Sequence, residues 1–167
     1  FAYDFSTKVI FDMSLHATFA PDAVKIGNMI NEKTLKSTVK VLGKSYNTMM
    51  GGLVATEASI SQGSGAVIDI SGGYAYVLTN RHVVTKLEGY DKHSISVEDP
   101  WGNTYDAKIY KNVEYAISDA YDLALICFEY APEHKDRSLI EFELGKDAKV
   151  GDCVISIGNP RGLINSV

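Results

Sequence analysis

The chain has 167 residues, which is enough for one domain of ordinary size. Hydrophobic residues make up 46% of the sequence and charged residues 22%, a balance typical of a globular protein and not of a disordered one. The formal net charge is −5 with lysines and arginines spread along the chain, which argues against a nucleic-acid partner, and no apolar run reaches the ~18 residues of a membrane-spanning helix.

Residues 1–36 are predicted to form an extension made of a strand and a short helix. Residues 9–19 carry apolar side chains at the odd positions and mostly polar ones between them, which is the period of a half-buried strand. Residues 21–33 begin with proline and place apolar residues on one side, as a helix does, although Gly27 and Asn28 weaken that pattern. Because the first residue is not Met, we expect a processed or trimmed form of the polypeptide.

A barrel is predicted to begin at residues 37–42, where apolar and polar side chains alternate. Residues 43–62 are then predicted to be a long connection, and loops of this length are uncommon unless they have a function. The connection is therefore either a functional loop or a flexible excursion. Five further strand signals follow, each a short run of strand-forming residues bounded by turn residues: residues 66–70, 74–78, 94–97, 104–110 and 123–129.

The last part of the chain predicts a change of structural unit. Residues 131–137 are polar, contain proline and are typical of a crossing between units, and residues 150–157 predict one more strand. His93 and His134 lie in polar segments, where we expect them to be exposed. The two cysteines, Cys127 and Cys153, either pair or remain separate thiols, and neither has the spacing of a metal site.

A histidine stands directly after the strand predicted at residues 74–78. Thr79 and Asn80 bond locally to backbone and end that strand, and His82 follows them. A rigid strand that delivers an imidazole to a loop provides what a general base needs, namely a fixed position, room for a substrate and a pKa near neutrality. Histidines at such places are also common as surface or capping residues, so His82 alone does not decide the function.

Four motifs occur in a fixed order along the chain. They are GSGAVI at residues 63–68, LTNRHVV at 78–84, DLAL at 122–125 and GDCVISIGNPRGL at 151–163. This series resembles the trypsin-like serine proteases, and most closely the bacterial HtrA/Deg branch, over about residues 37–167. The resemblance implies an all-β fold of the trypsin/chymotrypsin type, with a complete antiparallel barrel at 37–137 and the start of a second barrel at 138–167.

The resemblance also assigns roles to two residues. His82 would be the general base, and Asp122 would accept a hydrogen bond from the other ring nitrogen and orient the imidazole. Asp119 is the competing acid, but the family places its acid directly before the apolar strand, which favours Asp122. The nucleophile of the family lies in a Gly-x-Ser-Gly-Gly-like loop of the second barrel. Neither Ser64, in the first barrel's strand motif, nor Ser166, at the end of the sequence, has that context.

The resemblance implies a serine endopeptidase that hydrolyses peptide bonds in protein or peptide substrates. The chain would hold its histidine and aspartate, while the nucleophile, a serine or in a minor variant a cysteine, would lie in a missing C-terminal barrel. An extracytoplasmic location and an oligomer of identical subunits fit the resemblance, in which the connection at 43–62 can contact other subunits. No cofactor or metal is expected. The alternative is a pseudoprotease, a non-catalytic scaffold or binding module of the same fold.

Overall fold

The computed structural model describes residues 23–49, 52, 54–110, 117–118, 120–132, 135–143, 145, 149–151 and 154–159. Over these residues the chain is mainly β-structure with a few short helical segments. The helical segments are Ala23–Met29, a π-helical turn Ile30–Thr34, a 3-10 turn Leu35–Ser37, the single α-helical turn Arg81–Val84 and a 3-10 turn Lys135–Arg137. The strands are β1 Thr38–Met49, β2 Val54–Ser71, β3 Tyr74–Asn80, β4 Lys92–Glu98, β5 Thr104–Ile109, β6 Ile117–Ser118 and β7 Leu123–Glu129.

Six of these strands close into an antiparallel barrel. They pair in the order β3-β2-β1-β4-β5-β7, and β7 pairs back with β3 to complete the ring, while the short β6 adds beside the start of β7. Closure pairs the backbone groups that an open sheet would leave along its edges. The predicted all-β fold with a closed antiparallel barrel is therefore confirmed, and β7 has the predicted bounds.

The pairing of β3 with β7 determines which strand ends lie next to each other. The register runs from Tyr74 opposite Glu129 to Asn80 opposite Leu123. Because the two strands are antiparallel, the residues that follow β3 lie beside the residues that precede β7. The register thus brings two segments about forty residues apart in sequence to one rim of the barrel, called the mouth from here on.

The barrel interior is filled by small and medium apolar side chains at every second strand position. Burial of each such valine or isoleucine contributes about 1.5–3 kcal/mol relative to exposure. At the end away from the mouth, the rings of Tyr105, Phe128 and Tyr130 pack together with centroid distances of 4.8–5.9 Å. The strand residues of this apolar core are Val39, Val41, Val67, Ala75, Val77, Ile95, Val97, Ala124, Ile126 and Phe128.

The mouth end is closed by the helical turn Arg81–Val84, whose Val83 and Val84 are buried. The strands beneath it carry glycine where a side chain would collide with the turn. A Cβ on Gly43 would overlap the carbonyl oxygen of Val83, and a Cβ on Gly63 would lie 2.7 Å from the Val83 Cγ2. The first glycine of the GSG motif therefore makes room for the turn that follows β3.

Two predictions for the N-terminal half have different outcomes. The helix predicted at residues 21–33 is confirmed over the described part as Ala23–Met29 and Ile30–Thr34, with Gly27 and Asn28 inside it. The long connection predicted at 43–62 is wrong, because β1 runs to Met49 and β2 begins at Val54. This hairpin is held by backbone hydrogen bonds between β1 and β2. Such bonds do not depend on the side chains, so they do not require a recognisable pattern of apolar residues. The strand predicted at 9–19 lies outside the described residues.

The strand predicted at residues 150–157 is not formed where the structure describes that segment. Residues 150–151 form a turn, residues 154–157 have no regular structure, and a single bridge occurs at Gly158. A strand needs continuous pairing with a neighbouring backbone, and none of the described strands pairs with residues 154–157. Residues 138–142 instead return along the barrel, where Ile140 N–H donates to Lys36 O and Phe142 N–H to Val67 O.

Candidate active site

Backbone hydrogen bonds join the two chain segments that meet at the mouth. The N–H of Arg81, at the first position of the helical turn, donates to the carbonyl of Asp122 at 3.0 Å. The side-chain amide of Asn80 donates to the same carbonyl at 3.2 Å. Asn80 ends β3 and Asp122 directly precedes β7, so the end of one strand is tied to the start of the other.

His82 and Asp122 form a two-point contact across this junction. The ring nitrogen Nδ1 of His82 lies 2.6 Å from the Oδ2 of Asp122, and the backbone N–H of His82 donates to Oδ1 at 2.9 Å. The Asn80 side-chain amide is the third donor to this carboxylate and donates to Oδ2 at 3.3 Å. An ionised carboxylate can only accept, so Nδ1 carries the proton in this contact. The carboxylate therefore fixes both the ring orientation and its tautomer.

The backbone of Asp122 has an uncommon conformation. Its φ is +51°, the only positive φ of a non-glycine residue in the described part of the chain. L-residues rarely adopt the left-handed region, although aspartate tolerates it better than most. The donors from Arg81 and Asn80 to its carbonyl hold this conformation in place. Backbone strain of this kind is concentrated at functional sites in proteins, where the surrounding structure enforces it.

The environment of Asp122 favours its ionised form. The pKa of the carboxyl is lowered, first by the hydrogen bond from the backbone N–H of His82 and then by the hydrogen bond from its ring. The positive charge of Arg81 contributes in the same direction. The side chains of His82 and Asp122 remain 65% and 42% exposed. The pair thus combines an ionised acceptor with an imidazole that another molecule or chain segment can reach.

This arrangement leaves one nitrogen of His82 available for proton transfer. With Nδ1–H directed at Asp122, Nε2 carries a lone pair, and no residue in the described ranges makes a hydrogen bond to it. An imidazole held in this tautomer accepts a proton at Nε2, and the adjacent carboxylate stabilises the resulting imidazolium. The geometry therefore suits a general base.

Of the serines singled out in the sequence, the structure describes Ser64, which makes its hydrogen bond elsewhere. The Ser64 hydroxyl accepts a hydrogen bond from the backbone N–H of Asn159 at 2.7 Å, which ties residues 154–159 to β2. Ser166 and the competing acid Asp119 lie outside the described residues. Among the residues that the structure describes, no group of three or more His, Cys, Asp or Glu side chains could hold a metal ion.

An apolar cavity of about 640 Å³ lies beside the mouth. It opens between the N-terminal helical segments, the ends of β2 and β3, and the segment at 155–157, and it reaches Asn80 and Leu123. His82 and Asp122 do not line it, so the cavity adjoins the pair without containing it.

Across the part of the chain described, no helix is long and apolar enough to span a membrane.

Sequence reasoning missed a second histidine near the site. His93 was predicted to be exposed, and this is wrong, because it is half-buried on β4. Its Nδ1 lies 3.1 Å from the Oγ of Ser45, and its Nε2 lies 2.8 Å from the carbonyl oxygen of Val84. The strand predicted at 94–97 begins two residues earlier, at Lys92, and this places His93 on the inward face. His134 and Cys153 lie outside the described residues, and Cys127 is buried on β7.

Comparisons with known proteins find relatives for most of the chain. A family model described as a trypsin-like peptidase domain matches residues 63–166. A probable periplasmic serine protease do/HhoA-like from Haemophilus influenzae is 35% identical over 105 residues, which are 63% of this chain and 19% of the relative. Serine protease HTRA1B of Danio rerio is 37% identical over 113 residues, 66% of this chain and 20% of the relative.

A probable periplasmic serine endoprotease DegP-like from Brucella suis is 35% identical over 113 residues, which are 66% of this chain and 19% of the relative. The identity is therefore similar across bacterial and vertebrate relatives. The chain spans about a fifth of the length of the curated relatives that it matches.

Proposed function

Since the chain belongs to the trypsin-like peptidase family, we propose that it carries the histidine–aspartate part of a serine endopeptidase of the HtrA/Deg type. The observation that supports this most directly is the contact between His82 Nδ1 and Asp122 Oδ2 at 2.6 Å. The sequence order, His before Asp, is the order of the family's triad. The surroundings lower the pKa of the Asp122 carboxyl, and the His82 side chain is largely exposed.

In the proposed reaction, His82 Nε2 removes the proton of a serine hydroxyl as its oxygen attacks the carbonyl carbon of the scissile peptide. The imidazolium then gives that proton to the leaving amine, whose bond to the carbonyl carbon breaks and leaves an acyl-enzyme. Water attacks the ester in a second cycle, in which His82 again acts first as base and then as acid. Asp122 stays ionised throughout and stabilises the imidazolium in both cycles.

The serine itself is proposed to come from a second barrel, together with an oxyanion hole and a substrate pocket. The 167 residues contain no complete Gly-x-Ser-Gly-Gly motif: Ser71-Gly72-Gly73 lacks the first glycine and lies at the hairpin between β2 and β3. The relatives are about five times longer than the matched region. In this proposal residues 1–36 form an extension, residues 37–137 the first barrel, and residues 138–167 the crossing and the start of the second barrel. The 167-residue chain alone should then be inactive, because the base has no hydroxyl to activate.

Proteins are the proposed substrates, and an extracytoplasmic compartment is the proposed location. Both are supported by the relatives named as periplasmic serine proteases. An open, solvent-exposed catalytic pair at a barrel rim is compatible with a polypeptide substrate, since such a substrate must reach the site as an extended chain. The oligomer of identical subunits is part of the same proposal and is tested by measuring the mass of the full-length protein in solution.

The test uses the full-length protein and an unfolded substrate such as casein. We expect hydrolysis by the wild type, covalent labelling by a fluorophosphonate, which reacts with an activated serine, and loss of both on His82→Ala. Lys86→Ala, at an exposed position four residues away, is the matched control and should retain activity. Intact casein with folded wild-type protein would favour the pseudoprotease. Labelling by iodoacetamide at a residue other than Cys127 and Cys153, in place of labelling by the fluorophosphonate, would indicate a cysteine nucleophile.

A further inference from the structure

We propose that Ser45 and His93 are positioning residues for the general base. They hold the main chain that directly follows His82 against the barrel interior, on the side opposite to the contact with Asp122. This inference rests on the proposed role of His82, and it adds two residues that neither the motifs nor the comparisons single out. It concerns where the imidazole is held and not the proton transfer itself.

With a neutral ring, the hydrogen bonds around His93 have one consistent arrangement. A carbonyl oxygen can only accept, so Nε2–H of His93 donates to the Val84 carbonyl at 2.8 Å. In the neutral imidazole Nδ1 is then an acceptor, and the Ser45 hydroxyl donates to it at 3.1 Å. The Ser45 oxygen in turn accepts the backbone N–H of Leu87 at 3.0 Å. Each donor in this chain of contacts meets an acceptor.

The two ends of this chain of contacts are both main-chain groups of the segment after His82. Val84 O lies two residues beyond His82, and Leu87 N–H lies five residues beyond it. Ser45 on β1 and His93 on β4 are directly opposite each other in the strand register, so the anchor spans two paired strands. Ser45 is only 1% exposed, which protects these bonds from exchange with water.

Close packing supports the same segment from below. Val83 lies between His82 and Val84 and is 1% exposed, with its carbonyl against Gly43 and its side chain against Gly63. The turn that carries His82 is therefore fixed on two sides. Asp122 binds the backbone N–H and the ring of His82 at the rim, while Ser45 and His93 bind the chain that enters the barrel. Loss of the inner anchor should let the turn shift without removing the outer contact.

The consequence for catalysis follows from the need for accurate placement. A displacement of about 1 Å in a reacting group can lower turnover ~10²-fold, even when the change lies away from the chemistry. Neither Ser45 nor His93 touches the reacting atoms in the proposed mechanism, so substrate binding should not depend on them. A change confined to placement lowers kcat and leaves KM unchanged. A merely structural role would lower stability without that selective effect.

The experiment compares four variants of the full-length protein. Ser45→Ala removes the hydroxyl, and Ser94→Ala removes an exposed hydroxyl from the adjacent position of β4 as the matched control. His93→Leu removes both ring contacts, whereas His93→Gln keeps an N–H that can donate to the Val84 carbonyl. The readouts are kcat and KM on a peptide substrate, the thermal midpoint, and the NMR resonance of the proton on Nδ1 of His82, which reports its bond to Asp122.

We expect about a tenfold loss in kcat for Ser45→Ala and a larger loss for His93→Leu, with KM unchanged and the His82 resonance shifted or broadened. Ser94→Ala should match the wild type, and His93→Gln should restore most of the loss seen with His93→Leu. Ser45→Ala and His93→Leu with wild-type kcat and an unchanged resonance would overturn the proposal, whatever their thermal midpoints.

The remaining outcomes are also decisive. If His93→Leu and Ser45→Ala fail to fold, His93→Gln decides, because it must retain kcat and the His82 resonance if the bond to Val84 carries the effect. A wild type that folds but does not cleave the peptide would contradict the proposed protease function. The His82 resonance would still report whether Ser45 and His93 position the ring, so the two failures are distinguishable.

Discussion

Two aspartates occupy turns of this barrel, and their surroundings are opposite. Asp99, in the turn between β4 and β5, is 2% exposed. Its Oδ1 accepts the N–H groups of Trp101 and Asn103 at 2.9 and 2.8 Å, and its Oδ2 accepts the Asn103 side-chain amide and the Tyr105 hydroxyl at 2.8 and 3.2 Å. The side chain of Asp122, at the mouth, is 42% exposed and binds the ring and backbone of His82.

The difference shows how the same residue type acquires different roles. Asp99 directs both oxygens into its own turn, where partly buried donors bind the carboxyl group and close the loop between two strands. Asp122 directs one oxygen at a titratable ring on another segment, in a backbone conformation that the neighbouring donors enforce. We therefore expect Asp99 to act on stability and Asp122 to act on turnover.

The largest expected effect is on turnover and concerns Asp122→Asn. The amide nitrogen would donate where the carboxylate accepted, so His82 would adopt the wrong tautomer and lose its basic Nε2. We expect kcat of the full-length protein to fall about 10⁴-fold, with a thermal midpoint close to that of the wild type. Asp106→Asn, at an exposed position of β5, is the control and should leave both unchanged. Wild-type turnover in Asp122→Asn would remove Asp122 from the proposed mechanism.

The converse change, Asp99→Ala, should lower stability and spare turnover. It removes the acceptor of the partly buried donors of Trp101 and Asn103, and we expect the free energy of unfolding to fall by about 3 kcal/mol. Chemical denaturation measures this effect, with Asp106→Ala as the matched control. At a temperature where the variant is folded, kcat should equal that of the wild type. An Asp99→Ala variant with wild-type stability but a lower kcat would contradict the assignment of Asp99 to stability and Asp122 to turnover.

Gly43→Ala should affect both properties, because Gly43 lies under the turn that carries His82. The added methyl group would overlap the carbonyl oxygen of Val83 and force the turn away from β1. We expect a loss of about 1–3 kcal/mol in the free energy of unfolding, accompanied by a lower kcat. Gly145→Ala is the control, since nothing lies within 4 Å of a Cβ there. Unchanged kcat in a destabilised Gly43→Ala variant would show that the turn tolerates displacement.

The smallest expected effect is the dependence of stability on pH that Asp122 contributes. Its pKa is lower in the folded protein than in the unfolded chain, so its contribution is complete above the ordinary aspartate pKa of about 3.9 and disappears as the pH falls through the lowered value. The difference in unfolding free energy between wild type and Asp122→Asn should therefore change as the pH falls below about 4, where the Asp122 carboxylate becomes protonated. Urea titrations at several pH values measure it. A difference that stays constant down to the lowest pH would contradict the lowered pKa.

Much of the barrel was determined by local sequence. The apolar run at β7 and the strongly strand-forming residues of β3 predict strands because β-branched, aromatic and apolar side chains favour buried strands. His82 and Asp122 were proposed as site residues because each adjoins such a strand within a recognisable motif. The extension of β1 and β2 through residues 43–62 was missed, since backbone pairing holds strands together whatever the polarity of their side chains.

Only the tertiary structure decided which distant residues meet. The antiparallel register of β3 and β7 places His82 2.6 Å from Asp122, and the register of β1 and β4 places Ser45 against His93. Neither distance can be read from a chain in which these pairs are about forty to fifty residues apart. The sequence by itself determined strand-forming runs and the residue types at their ends. The closed hydrogen-bonded ring of strands determined the geometry between those ends, because register is a property of paired backbones and not of either strand alone.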